Sequence, residues 1–559
     1  MSDMSAKVRR ALDVAVEAIG GSAREGQIEM AEAVANALTN RHHLMVQAGT
    51  GTGKSLAYLI PGIVHGRKVL VATATLALQR QLVDRDLPAV VPALEKELGR
   101  EISYAIYKGV GNYVCLQKMN SEDVDPDGEL VMEVSSLEKD AKRLIAWAKT
   151  PGVSGDRDDA PEVDRRVWAA NSVSGRECVG ADVCAFGSQC FAANAKAKAQ
   201  TADIVITNHD AVKWLLKNQT KLNRFDTLVI DEFTAYKNQS SQRSKAIKKL
   251  VDRFEYRIAM SGTPNSNTIL DIWHPTLLVD DGERLGHRFY SFRAAVCTAR
   301  FNGFANEWVD KDNAEEIVAS LISDINVRYA LEECLTMPEQ TVSTLQVQLP
   351  PKIMKQYVSL AEDNVLYTGT ATINAVHAGA KVKKLLQLCT GAIYDEHGAV
   401  QSVHPERYEL VMQLVSERKH SLVAFNWKHE KNHLTAMADA MGIRYGVIDG
   451  DTPAHHRKDV VDRMQAGQLQ VVFCHPQSAG HGLTMTKATA VIWASPTYNA
   501  EHYQQFNRRI YRAGQTQRTE IIQIAARNTW EPDVYEKLNN KLKRMEDLLQ
   551  ILNKLNQAA

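Results

Sequence analysis

Ala48-Gly49-Thr50-Gly51-Thr52-Gly53-Lys54-Ser55 lies between the apolar run from His43 to Gln47 and a helix-forming run from Ser55 to Ile63. The order strand, glycine-rich turn, helix is that of a phosphate-binding loop of the A-x-x-x-x-G-K-S form. The glycines let the turn aim its backbone N–H groups inward as an anion nest, and the helix N-terminus adds a favourable dipole. Lys54 would neutralise the β- and γ-phosphates of a nucleotide, and the Ser55 hydroxyl would hold Mg²⁺. The alternative is a Gly/Thr-rich loop with no ligand. The lysine, the serine and the strand–helix context stand together against it.

Length and composition set the frame. The 559 residues suffice for roughly three or four domains. Lys+Arg and Asp+Glu both number 66, so the formal net charge is zero. Global charge therefore announces no nucleic-acid partner, and any surface that tracks phosphates has to be local. No run of eighteen apolar residues exists, and the N-terminal residues Met1 to Arg10 lack an apolar core. The expectation is a soluble cytoplasmic protein without a membrane partner.

Short β-branched runs alternate with helical patterns in two regions, the α/β signature. The first runs from about Gly20 to Val279, with strands expected at Leu44–Gln47, Lys68–Thr73, Asp203–Thr207, Thr227–Asp231 and Arg257–Ser261. The second runs from about Tyr408 to Ala526, with strands at Ser421–Phe425, Arg444–Ile448, Gln470–Cys474, Ala490–Ala494 and Glu520–Ile524. The division that follows is residues 1–110 and 199–279 as domain one, 111–198 as a cysteine-rich insertion, 280–407 as a mostly helical connection, 408–530 as domain two, and 531–559 as a C-terminal helix. That last segment carries Leu538, Leu542, Met545, Leu548, Leu549 and Leu552 at helical spacing and reads as docked.

Three further stretches narrow the chemistry. Leu228-Val229-Ile230-Asp231-Glu232 is an apolar strand ending in two acids. Alone it is an ordinary strand end. Downstream of a phosphate loop, Asp231 would hold Mg²⁺ through water, and Glu232 would orient and deprotonate an attacking water. Ser261-Gly262-Thr263-Pro264 follows another apolar strand and could link the acid pair to a neighbouring domain. Gln505, Arg509 and Arg512 fall at spacings that share one helical face. From there two arginines could reach a γ-phosphate and stabilise its transition-state charge. A surface basic helix is the plainer reading of the same pattern.

This ensemble resembles the superfamily 2 helicases and translocases, in two dialects. From about Arg24 to Asp210 the chain resembles the DinG/XPD iron–sulfur helicases. The matching residues are Arg24-Glu25-Gly26-Gln27, AGTGTGKSLAYLIP, Thr73-Ala74-Thr75-Leu76 with Leu78-Gln79-Arg80-Gln81-Leu82, Lys108 to Cys115, and Ala202 to His209. From about Thr207 onward it resembles phage-type Swi/Snf-like helicases, through Ile230 to Asn238, Met260 to Asn265, Asp271-Ile272-Trp273, Gly379 to Gln387 and Arg509 to Gln515. The acid motif is DEFT rather than DEAH. Only about thirty residues separate it from Ser261, which leaves no room for the large Arch insertion of the iron–sulfur family. Arg508 replaces the small or acidic residue usual at its position. The chain thus reads as a mosaic with its junction near Asn208.

The resemblance implies two RecA-like domains with ATP and Mg²⁺ between them. Gln27 would read adenine, Ala48 to Ser55 would cradle the phosphates, and Lys54, Asp231, Glu232, Arg509 and Arg512 would carry hydrolysis. Thr75, Gln79, Gly482 and Thr484 would touch nucleic acid. Cys115, Cys178, Cys184 and Cys190 fall where the iron–sulfur family holds its cluster, with five residues between each of the last three. Four thiolates suit a [4Fe–4S] cluster. Zinc, which prefers closer cysteine pairs, and unmetallated thiols are the alternatives. The acidic runs Ser121 to Asp125 and Gly155 to Asp159 would repel a phosphate backbone unless they are solvated loops facing away from it. The expected activity is ATP-dependent DNA unwinding by a monomer on single-stranded or forked DNA. The alternatives are a duplex translocase that separates no strands, and an iron–sulfur module that uses ATP only as a switch. A helicase–nuclease has no acidic nuclease domain to support it, and the residues do not choose between DNA and RNA.

Overall fold

The computed structural model describes residues 3–48, 53–74, 79–120, 131–217, 223–262, 268–301, 306–329, 337–363, 365–368, 371–374, 378–395, 397–402, 404–479 and 483–558. The apolar runs of the first half become strands β1 (Leu44–Ala48), β2 (Val69–Thr73), β3 (Tyr104–Tyr107), β4 (Ile204–Asn208), β5 (Thr227–Asp231) and β6 (Tyr256–Ser261). An antiparallel hairpin, β7 (Cys297–Phe301) and β8 (Asn306–Asp310), precedes β9 (Asn326–Tyr329). Among the described residues one sheet has the order β3-β4-β2-β5-β6-β1-β9, every pair parallel. Both faces are covered, so alternate residues of one strand enter different cores. Val46, Val229 and Ile258 pack under helices Asp3–Ala18, Glu25–Asn40 and Lys54–Val64, while Met45, Leu228 and Ala259 face the other way.

The second half repeats the plan. It supplies β10 (Gln340–Val347), two small hairpins, β11 (Val365–Thr368) with β12 (Ala371–Asn374) and β13 (Ala392–Tyr394) with β14 (Val400–Ser402), and then β15 (Ser421–Ala424), β16 (Tyr445–Ile448), β17 (Val471–Cys474), β18 (Ala490–Trp493) and β19 (Thr519–Ala526). The second parallel sheet runs β10-β19-β18-β15-β17-β16 among the described residues. The architecture is α/β, with two RecA-like sheets.

The stretch 280–407 departs from the mostly helical expectation. It gives β9 to the edge of the first sheet beside β1, and β10 to the edge of the second, paired from Gln340↔Thr519 to Val347↔Ala526. Edge strands need no continuous apolar run. β10 leaves Val342 and Leu345 exposed, so its sequence carries none of the marks of a central strand.

Helix Glu531–Ala558 joins the two halves. Tyr535 and Leu538 enter a core of the second sheet, and Leu548 and Leu552 enter a core of the first. It starts at an ion pair, Arg407 with Glu531, in which neither side chain is exposed. Arg407 Nη1 also donates to the Ala494 carbonyl (2.8 Å), and Glu531 accepts from the Ala526 N–H (2.6 Å). No helix among the described residues is long and apolar enough to cross a membrane. Removing one partner of a buried pair strands the other charge, so Glu531→Ala should lower stability by about 3–5 kcal/mol in urea unfolding. A change under about 1 kcal/mol would mean that the helix N-terminus does not depend on this pair.

A candidate phosphate site at the carboxyl edge of the first sheet

β1 and β5 end on the same side of the sheet with β6 between them, which brings Lys54, Asp231, Glu232 and Ser261 together. Gly53 immediately precedes the helix that begins at Lys54, at φ 82°, and a Cβ there would stand 2.3 Å from the Gln27 amide nitrogen. Only glycine fits both demands. Gln27 is buried and donates through Nε2 to the Gly53 carbonyl (3.1 Å), so it braces the end of the loop. Ala48 closes β1 and is buried. Gly49, Thr50, Gly51 and Thr52 lie outside the described residues.

Lys54 Nζ stands 3.2 Å from Glu232 Oε1, and the Ser261 hydroxyl donates to Glu232 Oε2 at 3.5 Å. Glu232 holds φ 58°, a left-handed backbone that a side chain adopts only under constraint. Asp231 is buried beside it, and its Oδ1 has no hydrogen-bond partner among the described residues. Burial pushes the Asp231 carboxyl up to about 6; Lys54 opposes this and the Glu232 charge adds to it. An orphaned carboxylate oxygen next to a serine at a helix start is a fitting place for a hydrated Mg²⁺, which takes one or two carboxylates and keeps its waters. Tyr58, one turn beyond Lys54, is buried against Asp231 and Ser55. The sequence reading passed over it, although the Lys54-to-Tyr58 spacing puts both on one helical face.

Arg509 and Arg512 face this edge from the second half, but they do not share a helix. Helix Ala500–Asn507 ends before either, and the chain continues in tight turns. The turns are fastened by Trp493 Nε1 to Asn507 Oδ1 (3.0 Å) and by Gln515 Nε2 to the Thr486, Ala488 and Ile510 carbonyls. What brings the arginines together is a shared acceptor: both donate to the Leu483 carbonyl, at 3.0 and 2.9 Å. Burial and Arg512 pull Arg509 down to about 9, with the Glu232 charge opposing; burial, Arg85 and Arg24 pull Arg512 down to about 10. Each arginine thus feels charges of the first half.

A second link across the cleft was not foreseen. Glu501 accepts from the Thr234 hydroxyl (3.0 Å) and stands 3.5 Å from Lys237 Nζ. A cavity of about 490 Å³ opens there, lined by Glu232, Thr234 and Lys237 on one side and Asn499, Glu501 and His502 on the other. Of the expected nucleic-acid contacts, Thr75 and Gly482 lie outside the described residues, as do Thr263, Pro264 and Ser121 to Asp125. Thr484 is half-buried next to Leu483. Gln79 is fully buried, and its amide atoms lack a partner among the described residues, so it presents nothing to a passing strand.

The insertion has its own small core of Val114, Leu144, Ala148, Val167 and Trp168. Cys115 opens the short helix Leu116–Met119 of the insertion. Cys184 Sγ contacts Gln117 Oε1 (3.4 Å), and Glu177, next to Cys178, stands 3.7 Å from Lys118. Val114 N–H donates to the Gly155 carbonyl (3.0 Å), and the missing Cβ of Gly155 makes room for the ring of Phe191, the neighbour of Cys190. A tetrahedral zinc site would hold its sulfurs about 3.8 Å apart. Among the described residues no three of these thiols come within 4.8 Å of one another.

The acidic run Gly155 to Asp159 is not a solvated loop. Asp156 and Asp158 accept from the buried Lys108 at 2.5 and 2.8 Å, and Arg80 pairs with Asp159, Asp158 and Asp156. Its acids are paired with Lys108 and Arg80.

Three family models match the chain in succession: a DEAD/DEAH box helicase domain over residues 28–103, an SNF2-related domain over 160–391, and a helicase conserved C-terminal domain over 406–514. Together these models mark superfamily 2 helicase domains. The order of these models carries the two dialects along one superfamily 2 chain. The ATP-dependent helicase DinG of Mycobacterium tuberculosis is 50% identical over 220 residues, covering 37% of this chain and 33% of that protein. Putative protein p41 of Acyrthosiphon pisum secondary endosymbiont phage 1 is 26% identical over 365 residues, covering 62% and 77%. The chain therefore spans about a third of the length of the DinG proteins it matches. Among solved structures, the Sulfolobus solfataricus SWI2/SNF2 ATPase core in complex with dsDNA is 17% identical at a TM-score of 0.36, covering 94% of this chain and 93% of its own. Mycobacterium smegmatis helicase Lhr bound to ssDNA and AMP-PNP is 13% identical at 0.45, covering 94% and 48%.

The Asp231 shift has a stability consequence. Its folded value, about 6, exceeds its ordinary 3.8, so the fold favours the protonated form. Its contribution is full below pH 3.8 and is lost as pH rises through about 6. Thermal melts of nucleotide-free protein should fall across that window, and Asp231→Asn should flatten this part of the profile. An unchanged profile in that variant would contradict the assignment.

Proposed function

We propose that this chain is an ATP-driven DNA motor that hydrolyses ATP to translocate on DNA and unwind it. The observation that carries the reading is the gathering of Lys54, Asp231, Glu232 and Ser261 at one sheet edge, with the Glu232 charge reaching Arg509 of the second half. A lysine at a helix start attracts the phosphates of a nucleotide, and Ser55 with Asp231 would hold Mg²⁺. When bound, Mg²⁺ supplies charge neutralisation at the phosphate oxygens. Glu232, now gripped by Lys54 and Ser261, is released from the lysine as the phosphates claim it, and it then takes the proton of the attacking water. Arg509 and Arg512 add positive charge only while the cleft is shut. Hydrolysis and opening are thereby coupled, and the cleft motion ratchets the DNA.

The division into domain one, insertion, connection and domain two is part of this proposal, with the first sheet extended to β9 and the second begun at β10. Cys115, Cys178, Cys184 and Cys190 would hold a [4Fe–4S] cluster, which would stiffen the insertion as a wedge at a fork. DNA contacts would be to phosphates, with Thr75, Gly482 and Thr484 as candidates, and would carry little sequence information. We take the working form to be a cytoplasmic monomer acting on single-stranded or forked DNA. The SNF2-related match over residues 160–391 favours one second reading, translocation on duplex DNA without strand separation.

Lys54→Ala should cut DNA-stimulated ATP turnover by about 10²-fold or more, and Arg509→Ala by about 10³-fold. Undiminished turnover in Lys54→Ala would end the proposal. Anaerobically purified protein on forks with only a 5′ or only a 3′ loading tail separates the two readings. Unwinding from the 5′ tail alone supports the helicase. DNA-stimulated turnover with neither fork opened supports the duplex translocase.

A further inference from the structure

Glu162 in the insertion meets His455 and His456 of helix Ala454–Gln465 in the second half. Glu162 Oε2 stands 3.5 Å from His455 Nε2 and 3.6 Å from His456 Nε2, and one ligand atom from each of the three lies within 4.8 Å of the others. Two imidazoles and a carboxylate bound to one tetrahedral ion at bonds of about 2.1 Å would have donor atoms about 3.4 Å apart. The observed spacings lie near that edge, so an ion could enter with little rearrangement. All three residues are exposed, which leaves a path for the ion and a position for water.

Both sides of the trio are held in place. Arg143 donates to the Glu162 carbonyl, and Asp140 accepts from the Asp164 N–H (2.9 Å). Arg457 donates to the Asp449 and Thr452 carbonyls, both at 3.1 Å, and fixes the start of the histidine helix. A separate pair, Arg165 with Asp451 at 3.0 Å, joins the same two segments, so their approach does not depend on the trio.

We infer that Glu162, His455 and His456 form a binding site for a divalent transition-metal ion that bridges the insertion and the second domain. Imidazole with carboxylate selects zinc, cobalt or nickel over magnesium and calcium, which take oxygen ligands. Three protein ligands leave the fourth position to water, as in open zinc sites. The insertion leaves the first sheet between β3 and β4, whereas the histidines belong to the second. An ion there ties two bodies that must separate whenever the cleft opens, and it slows turnover. This regulatory part rests on the motor reading; the binding part does not.

The test uses full-length protein with its cysteines as purified anaerobically, titrated with Co²⁺. The expected result is one ion per chain with the weak visible bands of tetrahedral cobalt on nitrogen and oxygen, and without the intense near-ultraviolet band of a cobalt–thiolate bond. Glu162→Gln and the double variant His455→Ala/His456→Ala should each weaken binding by roughly tenfold or more. Retained affinity in both variants overturns the site, as does a thiolate band. A dye pair on the insertion and the second domain reads the bridge itself: Zn²⁺ should narrow the distance distribution in the parent protein and not in the double variant. If it leaves both distributions alike, the bridge is refuted. Loss of the zinc effect on ATP turnover alone, with cobalt binding and the dye response intact, would count against the motor cycle and leave the site standing.

Discussion

Asp231 and Glu232 stand at the carboxyl edge of a parallel sheet with Lys54 as their nearby cation; the fold buries both acids and leaves the lysine half-buried. Two carboxylates and one ammonium in a dry place do not balance. The imbalance shows in the raised Asp231 carboxyl and in its orphaned oxygen. A divalent cation with a polyphosphate is the kind of ligand that would correct it, because it brings positive charge to the acids and negative charge to the lysine. The left-handed backbone at Glu232 fits the same account, since strain of this kind persists only where the surroundings impose it.

The second sheet matters to that site because it carries the buried Arg509 and the half-buried Arg512 towards it. Arg509 and Arg512 are weakened as acceptors of a proton by burial and by like charges, and an anion in the cleft would relieve both. Both donate to the Leu483 carbonyl, and Arg509 Nε donates also to the Gln505 carbonyl (2.8 Å). Glu501 joins the halves at Thr234 and Lys237, a few residues from the acids. Helix Glu531–Ala558 joins them again at the back, with apolar side chains in a core of each sheet. A polar latch at the cleft and an apolar strap behind it thus tie the two halves, beside the Arg165–Asp451 pair of the insertion.

The central strands and the phosphate-loop stretch were legible because burial on both faces leaves long apolar runs, and because a glycine at φ 82° beside Gln27 has no substitute. The edge strands were not legible. β10 spends most of its length exposed, and its partner β19 lies far along the chain, so nothing local marks it. The arginine pair was found by spacing, for a reason that proved incorrect. Periodicity put Arg509 and Arg512 on a helical face, whereas tertiary hydrogen bonds to Leu483 hold them in turns. Glu501 was invisible for the same reason that most cross-domain contacts are: a lone glutamate near a helix start reads as an ordinary cap.

The acidic run 155–159 shows how far local charge can mislead. As bare sequence it faces outward and repels a phosphate backbone. In the fold Lys108 sits unexposed between Asp156 and Asp158, and Arg80 gathers the outer oxygens. Arg80 directly follows Gln79 and directly precedes the unusually wide turn Gln81–Asp86. The acids therefore pin the insertion to the segment beside β2 in the first sheet. Breaking such a network is expensive, because each lost partner leaves a buried charge behind. The insertion is therefore held to the first half by charge as well as by chain, through Arg80 on one side and Lys108 on the other.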